Sequence, residues 1–164
     1  MKKIILAFAC CSLFASCVKD EDKDPIDVSK TTYLMDDSWQ LKVYTWLPDI
    51  ADSASTPVDV YTPIPGCEKD NFFVFNTTNR TSLYEGMAKC IVSAPDSIAY
   101  GYTLSNNDKH LEIFTDPDGE NHDILLAGDM TYPTIDTFVM TYLKQNPQDS
   151  TKTSRYVRKY VKQP

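Results

Sequence analysis

The sequence is poor in the residue types from which most catalytic and cofactor sites are built. Two of its 164 residues are histidines and five are glycines. It shows no Ser/His/Asp spacing, no glycine-rich phosphate loop and no cluster of metal ligands. We therefore expect a protein that is not an enzyme, with no catalytic residue, no metal and no cofactor.

Positive charge is scarce over most of the chain. The formal net charge is −7 at pH 7, and a strongly acidic body speaks against nucleic acid as a partner. Residues 150–164 are the exception, because they hold five lysines and arginines and no acidic residue. We interpret this end as a last strand with its charged side chains in water. Contact with anionic lipid head groups is the alternative.

The N-terminus carries a short apolar stretch with positive flanks. Lys2 and Lys3 precede residues 4–14, a run of eleven mainly apolar residues, whereas a spanning helix needs about 20. The ending Phe14-Ala-Ser-Cys17 resembles the lipobox of bacterial lipoproteins. This resemblance implies a signal peptide over residues 1–16 and a lipid on Cys17 that anchors the protein to a membrane. An ordinary secretory signal is the alternative.

The segment after Cys17 is short and charged, with four acidic residues between positions 18 and 24. It resembles the acidic tag that directs some Gram-negative lipoproteins to the outer face of the outer membrane. It also has the composition of a solvated, extended linker, and the two interpretations are compatible. We expect residues 17–31 to form a tether and the protein to be exposed at the cell surface.

Of the five cysteines, Cys10 and Cys11 lie in the predicted signal peptide and Cys17 is assigned to the lipid, which leaves Cys67 and Cys90. Two cysteines in an exported domain most simply form a disulfide, because that compartment is oxidising. A metal is a poor alternative, since two sulfurs would need two more ligands and the two histidines, His110 and His122, flank a different turn.

The spacing of these cysteines also predicts a hairpin. They are equidistant from the junction of residues 78 and 79, so a turn at the polar segment 76–79 would set them opposite each other. The same register pairs Phe73 with Tyr84 and Phe75 with Ser82. We expect a disulfide across this hairpin.

The rest of the chain shows short β patterns and no long helical period. Trp39, Leu41 and Val43 alternate with polar residues, and the long loop 47–66 contains four prolines. Turn residues occur at 106–108 and 116–119. The further strands are expected at 72–75, 82–92, 97–104, 111–114, 122–127, 137–143 and 155–161. We predict an all-β fold over residues 32–164, a small up-and-down antiparallel barrel of about eight strands. An immunoglobulin-like sandwich is the alternative fold.

Several short motifs carry a resemblance to a known family. They are Cys67-Glu-Lys-Asp-Asn71, Glu85-Gly86, Lys89-Cys90, Tyr102-Thr-Leu104 and Lys109-His-Leu-Glu-Ile113. Together with Asp37-Ser-Trp39 they resemble the lipocalin-like domain of Gram-negative surface lipoproteins. The resemblance implies a barrel with one closed and one open end, able to hold a small apolar ligand.

Aromatic and aliphatic side chains on the expected strands are candidates to line such a pocket. They are Trp39, Leu41, Val43, Phe73, Phe75, Tyr84, Tyr100 and Tyr102. The same residues could simply fill the core, because an eight-stranded barrel is just wide enough for its own side chains or one small molecule. We expect a binding module with the loop 47–66 as a lid. A structural or accessory surface lipoprotein with a filled barrel and a protein or glycan partner is the alternative.

Overall fold

The computed structural model describes residues 30–35, 37–76, 79–118 and 122–164. The predicted signal peptide, Cys17 and nearly all of the tether lie outside these residues. Within them, no helix combines the length and apolar character needed to cross a membrane. The elements are α1 (Lys30–Leu34), β1 (Ser38–Leu47), β2 (Val58–Asp59), α2 (Gly66–Lys69), β3 (Phe72–Phe75), β4 (Arg80–Tyr84), β5 (Ser97–Ser105), β6 (His110–Phe114), β7 (Ile124–Thr134), β8 (Thr137–Gln145) and β9 (Thr153–Lys162).

The strands form one antiparallel sheet that closes on itself. From β3 to β9 each strand pairs with the next in the chain, and β3 pairs with β1. β1 also pairs with β9 along nearly its whole length, from Trp39 opposite Lys162 to Leu47 opposite Arg155. All strands except the two-residue β2 are therefore members of an eight-stranded ring. The predicted all-β, up-and-down antiparallel barrel is confirmed.

One end of the barrel is closed by packed side chains. The α1 residue Leu34 is fully buried beneath the barrel, and its carbonyl oxygen accepts a hydrogen bond of 2.9 Å from Nε1 of Trp39. The indole of Trp39 meets the ring of Phe138 edge-on at 5.0 Å between centroids. Each such side chain contributes about 1.5–3 kcal/mol to stability on burial. The fully buried set here also includes Phe75, Tyr102, Leu111, Ile113 and Met140.

A β-bulge in β1 changes which side chains face inward. Leu41 pairs with Tyr160 and Val43 with Lys159, so Lys42 is one extra residue on β1. A single extra residue reverses the alternation beyond it. Leu41 therefore faces the interior, Val43 is exposed to solvent and Tyr44 returns to the interior.

The predicted hairpin exists, but its predicted register is wrong by one residue. Phe73 pairs with Leu83, and Phe75 pairs with Thr81. Asn76 and Arg80 close the connection through the N–H of Asn76 and the carbonyl of Arg80, 2.9 Å apart. Three residues thus lie between Asn76 and Arg80, whereas the predicted register required an even number of residues in the turn.

The largest differences between predicted and observed strand boundaries are at β4 and β7. β4 ends at Tyr84, whereas the prediction extended it to residue 92. β7 continues from the predicted stretch through Pro133 to Thr134, with a register irregularity after Thr131. Proline is tolerated beside such an irregularity because no ladder hydrogen bond from its nitrogen is required there.

The segment between β4 and β5 is fixed to α2 by the predicted disulfide. Cys67 in α2 and Cys90 are joined, with their Cα atoms 5.2 Å apart. Asp70 accepts a hydrogen bond of 3.0 Å from the N–H of Ala88, and any Cβ at Gly86 would collide with Asp70. The motif residues 67–71 and 85–90 therefore contact each other in one cross-linked region on the side of the barrel.

Candidate ligand-binding site

A cavity of about 380 Å³ lies above the packed closed end of the barrel. It begins one inward-facing position beyond Trp39, at Leu41, and Tyr160 pairs with Leu41 across β1 and β9. Its wall is largely apolar, with three polar or charged side chains and one tyrosine. The lining residues are Leu41, Glu68, Asn71, Phe73, Leu83, Leu125, Leu126, Arg158 and Tyr160.

The predicted lining residues divide into three groups. Leu41 and Phe73 line the cavity. Trp39, Phe75 and Tyr102 belong to the fully buried core, and Tyr100 packs partly buried against it. Val43 and Tyr84 are exposed. For Val43 the reason is the bulge at Lys42, and Tyr84 stacks on Phe72 with 5.3 Å between ring centroids. The interior is thus filled in its lower part and hollow above.

Arg158 lines this cavity, contrary to the prediction from the sequence. It was expected in water with the other basic residues of the last strand. In the structure it faces inward from β9, with its guanidinium 4.4 Å from the ring centroid of Tyr44 and 5.7 Å from that of Tyr142. The hydroxyl oxygens of Tyr44 and Tyr142 are 3.1 Å apart. A cation is therefore held inside the barrel by tyrosines.

These tyrosines have shifted protonation equilibria. Burial raises the pKa of Tyr160 and of Tyr142 above the ordinary value. Burial also opposes ionisation of Tyr44, but its hydrogen bonds with Tyr142 and Arg158 outweigh that effect and lower its pKa. Burial alone would lower the pKa of Arg158, and the neighbouring tyrosines more than offset it. Arg158 is consequently a permanent positive charge at neutral pH.

The charge of Arg158 has no acidic counterpart within the described ranges. None of the ion pairs found there includes Arg158. Its Nε is buried and lacks a hydrogen-bond partner among the residues that the structure describes. Glu68 is the acidic residue that lines the same cavity, and it is exposed.

The loop 47–66 does not supply the cavity wall. Its residues 58–59 form β2, which pairs with Thr45 and Trp46 of β1. The carbonyl of Tyr44 accepts hydrogen bonds from the N–H groups of Val60 and Tyr61 at 2.8 and 3.1 Å. The loop thus extends the wall beside β1, where β3 pairs only with Ser38–Gln40. Contacts to the cavity come instead from the following residues, Glu68 and Asn71.

A second, smaller cavity of about 220 Å³ marks an opening in the barrel wall. β7 pairs with β8 from Asp129 onward, and no β7–β8 pair involves residues 124–128. The side chains at this opening are Ile124, Leu125, Leu126, Ala127, Tyr142, Leu143 and Lys144. Leu125 and Leu126 line both cavities, so the opening lies beside the main one.

A signal in the sequence could have located Arg158. Tyr156, Arg158 and Tyr160 occupy alternate positions of β9, and the two aromatic side chains identify the inward face. Tyr160 is 3% exposed and Ser154, two positions before Tyr156, is fully buried. An arginine between two inward aromatic residues must share their face. By contrast, the consecutive residues Leu125 and Leu126 both line the cavity. They lie beside a register shift between Ile113 and Phe114, which the alternation of apolar and polar residues in the sequence does not reveal.

No family model and no curated protein matches the sequence. Among solved structures the chain is similar to bovine odorant-binding protein bound to its natural ligand, at 11% identity over 88% of this chain and 78% of that chain, with a TM-score of 0.36. The complex of the bovine protein with undecanal gives the same values. A deswapped triple mutant of that protein aligns at 12% identity over 77% and 72% of the two chains, with a TM-score of 0.34. The fold assignment for this chain rests on its own strand pairing.

Proposed function

We propose that this chain is a lipid-anchored lipoprotein of the bacterial outer membrane, exposed at the cell surface, whose lipocalin-like barrel binds one small apolar molecule. The observation that carries the binding role is the cavity of about 380 Å³ above the filled end of the barrel. The cavity is open to solvent, and its size and mainly apolar wall are those of a cleft that takes a small molecule.

The anchoring role is supported by the resemblance of residues 14–17 to a lipobox and by the acidic residues that follow. The described chain begins with α1 at Lys30, and Leu34 of α1 lies at the closed end. The described chain therefore begins at the end of the barrel opposite to the cavity, and a tether that precedes α1 would join it there. That arrangement would leave the cavity directed away from the lipid anchor.

An accessory role with a protein partner has one observation in its favour. The segment 85–96 exposes Met87 and Val92 almost completely and Ile91 by 62%, and the disulfide fixes that segment in place. Clustered exposed apolar side chains often mark interaction surfaces. The two roles differ in what they require of the barrel interior. The binding role requires a small molecule to bind there, and the accessory role does not.

Titration with the neutral fluorescent probe N-phenyl-1-naphthylamine tests the binding role. The sample is the predicted mature chain, residues 17–164 with Cys17→Ala, which needs no detergent. We expect saturable binding that Leu83→Trp weakens at least about tenfold, because Leu83 faces the cavity and a larger side chain would fill it. Ile135→Trp, at the exposed turn after β7, is the matched control and should bind as the parent does. Absence of probe binding by the parent would favour the accessory role.

A further inference from the structure

We propose that the cavity selects apolar molecules that end in an anionic group, with a carboxylate bound by Arg158. This inference rests on the proposed binding function and adds the chemical class of the ligand. The cavity places an arginine next to a mainly aliphatic and aromatic wall formed by Leu41, Phe73, Leu83 and Leu126. Such a pair of environments matches a molecule with one charged end and one apolar end.

The first argument is the unbalanced charge. An arginine removed from water is expensive unless an anion or several acceptors compensate it. Arg158 is partly buried against the rings of Tyr44 and Tyr142. It donates hydrogen bonds to the hydroxyls of Tyr44 and Tyr160, but neutral phenols compensate a cation only in part. No ion pair to it occurs in the described part of the chain, and its Nε is buried without an acceptor. A carboxylate bound at the terminal N–H groups of the guanidinium would supply the missing negative charge.

The second argument is the geometry of the donors. Arginine presents five N–H groups in a planar fork that matches the two oxygens of a carboxylate. Arg158 and Tyr160 both line the cavity from adjacent inward positions of β9, so a hydroxyl donor lies beside the guanidinium. Glu68 also lines the cavity, but water screens its charge because the side chain is exposed.

The cavity guides the choice of test compounds. It is open to solvent, so the far end of a ten-carbon chain is free to extend out of it while the head group lies at Arg158. Decanoate is such a compound. Decanol and decyltrimethylammonium have the same chain with a neutral and a cationic head, so the three compounds separate the head group from the tail.

The test is competition of these three compounds with N-phenyl-1-naphthylamine on the mature chain at pH 7.5. We expect decanoate to bind at least about tenfold more tightly than decanol, and decyltrimethylammonium to bind least. Arg158→Gln should remove the preference for decanoate, measured as the ratio of the decanoate and decanol affinities of the same variant. Lys159→Gln, the same change on the neighbouring exposed residue, should leave all affinities unchanged.

The outcomes separate the two proposals. If the probe binds and the parent does not prefer decanoate, the carboxylate inference is overturned while the binding function stands. A preference that Arg158→Gln retains would likewise overturn the role of Arg158. If the probe and all three compounds fail to bind, the proposed function fails first. The head-group comparison on the parent decides the matter even if Arg158→Gln does not fold.

Discussion

Removal of the Cys67–Cys90 disulfide should lower stability by an amount that the structure allows us to work out. The bond joins α2 to the segment 85–96, and its cysteines are 23 positions apart in the chain. In the chain-entropy description, closing a loop of this length raises the free energy of unfolding by about 3 kcal/mol at 25 °C. We expect the double variant Cys67→Ala/Cys90→Ala to lose about that much.

Thermal unfolding followed by circular dichroism is the assay. An unfolding entropy of about 2.1 cal/mol/K per residue, over roughly 130 residues, converts about 3 kcal/mol into a fall in Tm of about 10 °C. The parent melted in a reductant should approach the Tm of the double variant. Met87→Ser in the same segment should change the Tm little, because the Met87 side chain is fully exposed.

A local measurement separates loss of the bond from a general loss of stability. The Lys89 ammonium pairs with Asp96 and donates to the carbonyl of Ala94 at 3.2 Å, both within the same segment, so the disulfide is a main link from this segment to α2. Without the disulfide, trypsin should cleave after Lys89 before it cleaves the strands. Equal Tm values for parent and double variant, or ready alkylation of both thiols in the untreated parent, would refute the reasoning.

Three further predictions concern the anchor, the closed end and the buried tyrosines. Cys17→Ala should abolish labelling by a lipid probe and leave the chain unprocessed or released from membranes. Trp39→Phe should lower the free energy of unfolding in urea by about 1–3 kcal/mol, because the buried carbonyl of Leu34 loses its donor. Burial raises the pKa of Tyr102 and Tyr160, so their contribution to stability is full below about pH 10 and is lost as pH rises further; combined 295 nm absorbance and unfolding measurements test this.

The barrel could be predicted from the sequence because its signals are local and repeated. Period-two alternation and turn residues located most strands, and Asn106, Asn107 and Asp108 do adopt the positive φ typical of a turn. Closure was predicted from the need to pair edge strands, and the pairing of β1 with β9 satisfies it. The disulfide was predicted from compartment and spacing, and it is present although the hairpin register differs by one residue.

The candidate site was harder to predict because single-residue irregularities determine it. Lys42 adds one residue to β1, and that residue alone moves Val43 outside and Tyr44 inside. Ile91 and Val92 lie at the end of the predicted strand 82–92, yet in the structure they are exposed in the segment that the disulfide holds. The alternation of apolar and polar residues identifies the two faces of a strand. It does not reveal a bulge or a disulfide that changes which side chains face the interior.

The inward position of Arg158 leads to a final prediction, in which stability and binding change in opposite directions. A partly desolvated guanidinium with a buried, unpaired Nε is expected to lower the stability of the ligand-free barrel, because its ring contacts and its hydrogen bonds to tyrosine hydroxyls offset the cost of desolvation only in part. Arg158→Met keeps much of the side-chain length and removes the charge, so we expect it to raise the free energy of unfolding of the ligand-free protein by about 1 kcal/mol in urea. Decanoate should stabilise the parent and have little effect on this variant. A residue that is kept for binding a ligand is expected to reduce stability when the ligand is absent. If Arg158→Met instead lowered the free energy of unfolding of the ligand-free protein, Arg158 would be a structural residue that its contacts with the tyrosines stabilise.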